Sequence, residues 1–508
     1  MRFALLPDLR AQDAPDALCI ADDTVSLSNA EFLTRVRAAA ASLRRRGIRS
    51  GDVVAVMLPN RVDLVVALFA AWRLGAAVTP VNPALTATEA AYQIADSAAR
   101  VVIRPDETPP DPDDAPGTDG GPGLGADRVG TDELLRGVEE SADLAAPADD
   151  TRDDADATAL LIYTSGTTGR PKGVILSHAN LSAMATMMIE TSRLREDEHS
   201  LLVLPLFHVN GIVVGVLSPL LVGGRVTIAG RFKAETFFRT VEAVRPTCFS
   251  AVPAIYAMLA ALPESERPDT SSVRFAACGA APMPAELIER IEGRYGFPVL
   301  EGYGLSEGTC ASTVNPIDGP RKPGTVGLPM PGQDVAVMDA SGRLLPPGST
   351  GEVVVRGPNV MRGYLNRPEE TARTVIDGWL HTGDVGRFDE DGYLVLVDRI
   401  KDVIIRGGEN IYPKEIESVL HGHPEVFEAA VVGGAHPVFG EVPVAFVSLR
   451  ADATVTPEEL VEHCRRVLAR HKLPERVITL EHLPKNPVGK IDKPTLRTQV
   501  TSSPSPAA

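Results

Sequence analysis

At 508 residues the chain is too long for one compact core, and 44% hydrophobic with 23% charged residues fits an ordinary soluble protein of two or three domains. The formal net charge of −17 is localised: residues 105–157 hold 17 Asp/Glu against 3 Arg, a balance of −14 that leaves −3 for everything else. That sign excludes non-specific nucleic-acid binding and polybasic membrane attachment, and no apolar run is long and unbroken enough to span a bilayer.

From Met1 to Pro7 the apolar run is too short for a signal peptide before Asp8 and Arg10 interrupt it. Gly51 to Leu58 reads as a strand, Asn60 as the cap of a helix through Trp72, and Ala77 to Val81 as a second strand. The Pro/Gly/Asp-rich residues 105–157 then read as a long solvated connection within the first domain. Ala159 to Thr164 is a short buried strand, and Ser177 can cap a helix through Ala183–Ala185. Between them, Ser165, Thr167 and Thr168 supply hydroxyls, Gly166 and Gly169 let backbone N–H groups close on an anion, and Lys172 adds a point charge. This is a phosphate cradle in an expected strand–loop–helix setting. Its Gly166-x-x-Gly169-x-x-Lys172 spacing is not that of a Walker loop.

Strand–helix alternation resumes with Gly224 to Ala229 and Lys233 to Val244, which argues for α/β layering. From Gly327 to Gly392, short β-type runs such as Glu352 to Arg356 are cut by Gly/Pro turns and suggest a small barrel or sheet. Five cysteines, Cys19, Cys248, Cys278, Cys310 and Cys464, lack metal or disulfide spacing and fit reduced thiols in a cytoplasmic protein. Ser502 to Ala508 reads as a disordered tail.

Six blocks stand in a fixed order: Tyr163–Val174, Pro205-Leu-Phe-His208-Val-Asn-Gly211, Gly302-Tyr-Gly-Leu-Ser-Glu307, Trp379-Leu-His-Thr-Gly-Asp384, Arg399-Ile-Lys-Asp402 with Gly407-Gly-Glu-Asn410, and Pro484-Lys-Asn-Pro-Val-Gly-Lys490-Ile-Asp-Lys493. Together they resemble the acyl-adenylate-forming superfamily of acyl-CoA synthetases, peptide-synthetase adenylation domains and beetle luciferases. The resemblance implies a large N-terminal α/β domain of several subdomains with a small β-barrel portion (1–398), a hinge at 399–402, and a small mobile C-terminal α+β domain (403–500). It implies a carboxylate attacking the α-phosphorus of MgATP, then a thiol displacing AMP from the acyl-adenylate. The first step needs no general base; it is a matter of alignment and charge neutralisation, and the blocks accordingly supply Lys, Arg, hydroxyls and Gly.

By the same resemblance, Thr164 to Gly169 and Lys172 hold the β- and γ-phosphates, and Glu307 holds Mg2+, a metal content with one or two carboxylates. Ser306 stands beside the α-phosphate where most relatives have Thr. Tyr303, following Glu301 and Gly302, stacks on adenine opposite Gly279, Ala280 and Ala281. Asp384 accepts the ribose hydroxyls, with a turn residue as its competing reading, and Arg399 adds a second ribose or phosphate contact. Lys490 bridges the substrate carboxylate and α-phosphate, with Lys485 and Lys493 as solvated neighbours. Lys401 is the pivot, and the Gly407–Gly408 backbone lines the pantetheine tunnel unless it is a plain turn.

His208 stands where amino-acid-activating relatives carry Asp, so the resemblance favours the acid–CoA ligases, with the ring gating the thiol tunnel. Phe207, Asn210, Gly211, Val214, Gly304 and Cys310 are the candidate pocket residues. Gly304, where acetate-specific relatives carry Trp, together with Gly211, Gly279 and Val214 predicts a roomy apolar pocket for a medium-to-large carboxylic acid, and no adjacent cation favours a diacid such as malonate. The acceptor is CoA, with a carrier-protein thiol, a luciferase-type oxidoreductase or a thioester-only member as alternatives. The expected state is a monomer or homodimer.

Overall fold

The computed structural model describes residues 3–106, 126–136, 155–164, 170–450, 453–485 and 491–502. The chain divides into two compact units: one comprises Met1–Ala336, Val354–His381 and Gly392–Leu394, the other Val337–Val353, Thr382–Asp391 and Val395–Ala508.

The first unit carries two large sheets. In the nine-stranded sheet, Leu18–Ala21, Arg225–Ile228, His199–Leu202, Cys248–Ala251, Phe275–Cys278 and Val299–Tyr303 are neighbours in that order and run parallel. Antiparallel strands flank them, with Ser26–Ser28 at one edge and Thr313–Val314 then Leu328–Pro329 at the other. In the seven-stranded sheet the order is Gly363–Tyr364, Lys172–Ser177, Thr158–Thr164, Ala77–Pro80, Val53–Val56, Val101–Arg104 and Asp127–Gly130. The parallel strands are short and mostly apolar, as strands covered on both faces tend to be, with a few polar residues such as His199, Thr227 and Glu301 among them. The helix Val62–Arg73 shows why the core holds: every residue in it is buried, and the Trp72 indole donates to the Ala159 carbonyl at 2.9 Å. A helix apolar on every face but for its terminal charges, here Asp63 and Arg73, belongs inside a core.

Two expectations change here. Arg61, not Asn60, occupies the cap position of that helix; Asp22 accepts from Val62 N at 2.8 Å and does the capping in space. Within the acidic stretch, residues 126–136 are structured. Asp127–Gly130 adds a parallel strand beside Val101–Arg104, and Thr131–Leu134 forms a helical turn. Val129 and Leu134 are fully buried, so a few apolar side chains outweigh the local charge. The rest of the expected connection, 107–125 and 137–154, lies outside the described residues.

Asp334–Met338, Gly351–Arg356, Trp379–Phe388 and Val375–Ile376 form a five-stranded sheet with Leu394–Arg399, as the Gly/Pro-punctuated runs predict. In the second unit, Gly440–Leu449 pairs with Val426–His436 and Ile404–Arg406 antiparallel and with Arg476–Thr479 parallel. Its sheet is covered on both faces: Ala429, Val431, Ala445 and Val447 enter one core, while Ala430, Val432, Val444 and Phe446 enter another. The alternation follows from the period-two geometry of a strand. The last helix, Lys493–Ser502, reaches into the expected tail; residues 503–508 lie outside the described residues. Among the described residues no helix is long and apolar enough to cross a membrane.

Candidate active site

The strands on either side of the phosphate-type loop pair with each other. Thr158–Thr164 pairs antiparallel with Lys172–Ser177, with Thr164 opposite Lys172, so the expected strand–loop–helix is a strand–loop–strand. The helix follows at His178–Ser192, capped by Ser177 in a reciprocal box with Asn180. The β-branched run Val174-Ile175 keeps the chain extended before that cap takes effect. Ser165, Gly166, Thr167, Thr168 and Gly169 lie outside the described residues.

Lys172 is largely buried and ion-pairs with Glu370, and its ammonium lies 5.2 Å from the centre of the Tyr364 ring. The Tyr364 hydroxyl donates to Glu307 Oε1 at 2.9 Å. Burial, then the Glu307 charge, raises the Tyr364 phenol well above its ordinary range, so it remains a donor. Lys172 holds Glu370 below the usual carboxylate range. The backbone sets this arrangement: Gly363–Tyr364 is the edge strand beside Lys172–Ser177, and Met361 N donates to the Glu307 carbonyl at 2.8 Å.

Ser306 and Glu307 open a short 3-10 turn, Ser306–Gly308, followed by Thr309 (φ +57°) and Cys310 (φ +112°). Two consecutive non-glycine residues at positive φ are strained and persist only where the surroundings fix them. Thr309 Oγ1 donates to Asn359 O at 2.5 Å and Cys310 N to Leu305 O at 3.1 Å. Burial pushes the Cys310 thiol up to about 12, so it is no nucleophile.

Gly279 and Gly302 come together at the carboxyl ends of neighbouring parallel strands, where Cys278 pairs with Glu301. This is where open α/β sheets bind ligands. Glu301 is buried and accepts from Met283 N at 3.0 Å, which holds the loop carrying Ala280 (φ +70°) and Ala281. Tyr303 stands half-buried on the same strand, opposite Thr313.

The Phe207 and His208 rings lie 4.6 Å apart. His208 precedes the helix Val209–Ile212, which continues into a π-helical turn, Val213–Leu217, containing Val214. Asn210 Nδ2 lies 3.5 Å from Cys310 Sγ. Here the roomy-pocket expectation loses two supports. A Cβ on Gly304 would sit 1.8 Å from the Cys310 carbonyl oxygen, and one on Gly211 would sit 2.5 Å from the Pro205 carbonyl oxygen. Both glycines answer to close backbone approach, not to open space. The Gly279 Cβ position meets only the Gly302 oxygen at an ordinary 3.6 Å.

In the second unit, Asp384 is buried within the ten-residue strand Trp379–Phe388, which removes its reading as a turn residue. Thr382 Oγ1 accepts from Asp384 N at 3.0 Å, and Gly383 N donates to Glu352 at 2.9 Å. Arg399 Nε lies 3.0 Å from Asp384 Oδ1, so the two expected ribose contacts pair with each other. Lys401 is exposed in the turn Ile400–Asp402, and Arg497 holds Asp402 at 2.5 Å. Gly407 (φ +60°) and Gly408 (φ +91°) form a two-residue hairpin between Ile404–Arg406 and Glu409–Ile411. That supports the turn reading of the pair, since a primed turn requires positive φ at both positions. Lys490 lies outside the described residues. Of its neighbours, Lys493 is not a solvated charge: it is mostly buried against Glu417 at 2.8 Å, while Lys485 pairs with Glu428.

The family model of AMP-binding enzymes matches residues 8–365, and that of the AMP-binding enzyme C-terminal domain matches residues 415–490. The chain belongs to the AMP-binding enzyme family. A feruloyl-CoA synthase from Amycolatopsis is 39% identical over 97% of each chain, and an oxalate–CoA ligase from Arabidopsis thaliana is 38% identical over 90% of each. The solved structure of ATP-bound MatB from Rhodopseudomonas palustris is 33% identical, covers 98% of each chain and superposes with a TM-score of 0.88. With such relatives, this AMP-binding enzyme is an acyl-CoA synthetase, using ATP to join a carboxylic acid to CoA.

Sequence reasoning missed two residues that contact the expected site groups of this AMP-binding enzyme, Tyr364 and Glu370, and misread a third, Asn60. Tyr364 and Glu370 belong to a Gly363-Tyr364…Pro368-Glu369-Glu370 run whose only local signal is Pro368 opening a helix, Pro368–Thr374. Asn60 brackets the segment before Phe207, donating to Leu204 O and accepting from Leu206 N, both at 2.9 Å. The donor at hand for magnesium is the Glu307 carboxylate, an oxygen ligand of the kind that ion takes one or two of while keeping water and phosphate oxygens.

Proposed function

We propose that this acyl-CoA synthetase activates an apolar carboxylic acid with an aryl or alkyl body, in two half-reactions run by alternation of its two units. The observation that carries the nucleotide part is the convergence of Lys172, Tyr364 and Glu307 in one unit. Lys172 meets the outer phosphates, Glu307 would hold Mg2+, which would screen phosphate charge, and the Tyr364 hydroxyl orients the Glu307 carboxylate. Gly279–Ala281 and Tyr303 bracket adenine, while Asp384 and Arg399 exchange their mutual pair for ribose contacts. Lys490 bridges the acid and the α-phosphate. Ser306, adjacent to Glu307, retains the hydroxyl that orients the α-phosphate.

Val214 and Cys310, which pack against the core, and the Phe207 ring offer the acyl group a mainly apolar wall with the Asn210 amide as a polar mark. The feruloyl-CoA synthase relative supports an aryl acid; the oxalate–CoA ligase relative makes a small diacid the comparison to run.

The test is ATP–pyrophosphate exchange over a panel of a hydroxycinnamate, a medium-chain fatty acid and oxalate, followed by thioester formation with CoA. Exchange with the apolar acids is expected. Lys490→Ala should reduce exchange by about two to three orders of magnitude, in the range of losing one preorganised charge contact to the reacting group. It should spare CoA attack on a supplied acyl-adenylate. Preference for oxalate would refute the substrate class, and equal loss of both half-reactions would refute the alternation.

A further inference from the structure

We propose that Glu370 is a positioning residue: it holds Lys172 as an internal counter-ion that the ATP polyphosphate must displace, and so sets nucleotide affinity. The inference rests on the reading of Lys172 as the phosphate-binding cation. Lys172 opens the strand Lys172–Ser177, and the edge strand Gly363–Tyr364 leads into the helix Pro368–Thr374 that delivers Glu370. The side chains of Lys172 and Glu370 are 13% and 26% exposed, so water and salt screen this pair less than a surface one.

The exchange has a built-in return. Arg367 Nη1 lies 3.6 Å from Glu370 Oε1, while Lys172 engages Oε2, so Glu370 retains a cation when the lysine leaves. The Tyr364 ring, 5.2 Å from the ammonium, offers it a second contact, and the hydroxyl of the same side chain donates to Glu307. An ammonium already neutralised by a carboxylate binds a second anion less tightly, because the first attraction is lost on exchange.

The test is calorimetric titration of the full-length enzyme with MgATP and with AMP, which lacks the outer phosphates. Wild type, Glu370→Gln, Lys172→Gln and the double variant are compared. Glu370→Gln should bind ATP about fivefold tighter, the size of a partly exposed ion pair, with AMP affinity unchanged. In the double variant that gain should vanish, leaving the Kd of Lys172→Gln. Unchanged or weaker ATP binding by Glu370→Gln overturns the proposal, as does an equal shift for AMP. Equal ATP binding by Lys172→Gln and wild type sinks the underlying assignment of Lys172, and the proposal with it. Should Glu370→Gln lose AMP binding, Glu370→Asp decides instead: it draws the charge back by one methylene, and tighter ATP binding supports the proposal where an unchanged Kd refutes it.

Discussion

At Gly304 a hydrogen occupies the place where any other side chain would begin, and 1.8 Å beyond that place is a carbonyl oxygen of the strained Thr309–Cys310 corner. The glycine therefore belongs to the packing of the Ser306–Gly308 turn and through it to the placement of Glu307. Gly304→Ala should destabilise the protein by about 1–3 kcal/mol, the usual cost of forcing atoms into a filled space, read as a lower Tm. It should also raise the KM for ATP because Glu307 moves with the turn. A variant as stable and as active as wild type would show that the corner yields freely. The sequence makes this glycine visible as part of Gly302-Tyr-Gly304, but its purpose depends on a backbone segment six residues away in an unusual conformation. No local pattern reports that.

Elements place the remaining groups, and their joins carry information that single positions lack. Ser177 and its helix were legible, because capping is a short-range exchange between Ser177 and Asn180. Asn60 was misread for the complementary reason. A side-chain amide before an apolar helix suits a cap, yet its partners are the backbone of residues 204 and 206. Asn60→Ala should loosen the segment that carries Phe207 and His208, lowering kcat/KM for the acid about tenfold while leaving AMP binding unchanged. That factor corresponds to about 1.4 kcal/mol, the scale of a lost pair of backbone hydrogen bonds. Steady-state kinetics beside AMP titration checks it, and a parallel loss of AMP affinity would place Asn60 elsewhere in the mechanism. The hairpin at Gly407–Gly408 was readable as a turn from its two glycines. The π-helical turn at Val213–Leu217 was not, since five apolar residues in a row carry no period.

On the scale of the whole molecule, stability should respond to acid through His199. Burial, then the charge of Arg225, lowers this ring to about 4, and its Nε2 lies 2.8 Å from Thr227 Oγ1 on the neighbouring strand of the parallel sheet. A folded pKa below the unfolded value means that the unfolded chain takes up the proton first. Stability is therefore complete above about pH 6.5 and falls as the pH drops toward 4, by up to about 3 kcal/mol from this group. Thermal melts at pH 7 and pH 5 should show a larger drop for wild type than for His199→Gln. Equal drops would assign acid sensitivity to other groups. The layered α/β architecture was legible from alternation alone, and the family blocks added the order of the site. The pairing of distant strands was not, because register between remote segments leaves no trace in either.

Val174 and Tyr364 are strand partners although 190 residues separate them in the chain. During translation this delay has a cost. Until the ribosome has released the segment around Tyr364, the Lys172–Ser177 strand faces solvent as an unclaimed edge, able to pair with a neighbouring nascent chain. Arrival of Gly363–Tyr364 then closes the edge and brings the hydroxyl that holds Glu307, with the Lys172 counter-ion six residues behind. Newly made enzyme thus acquires its protection against aggregation and the joined arrangement of Lys172, Tyr364 and Glu307 at the same moment.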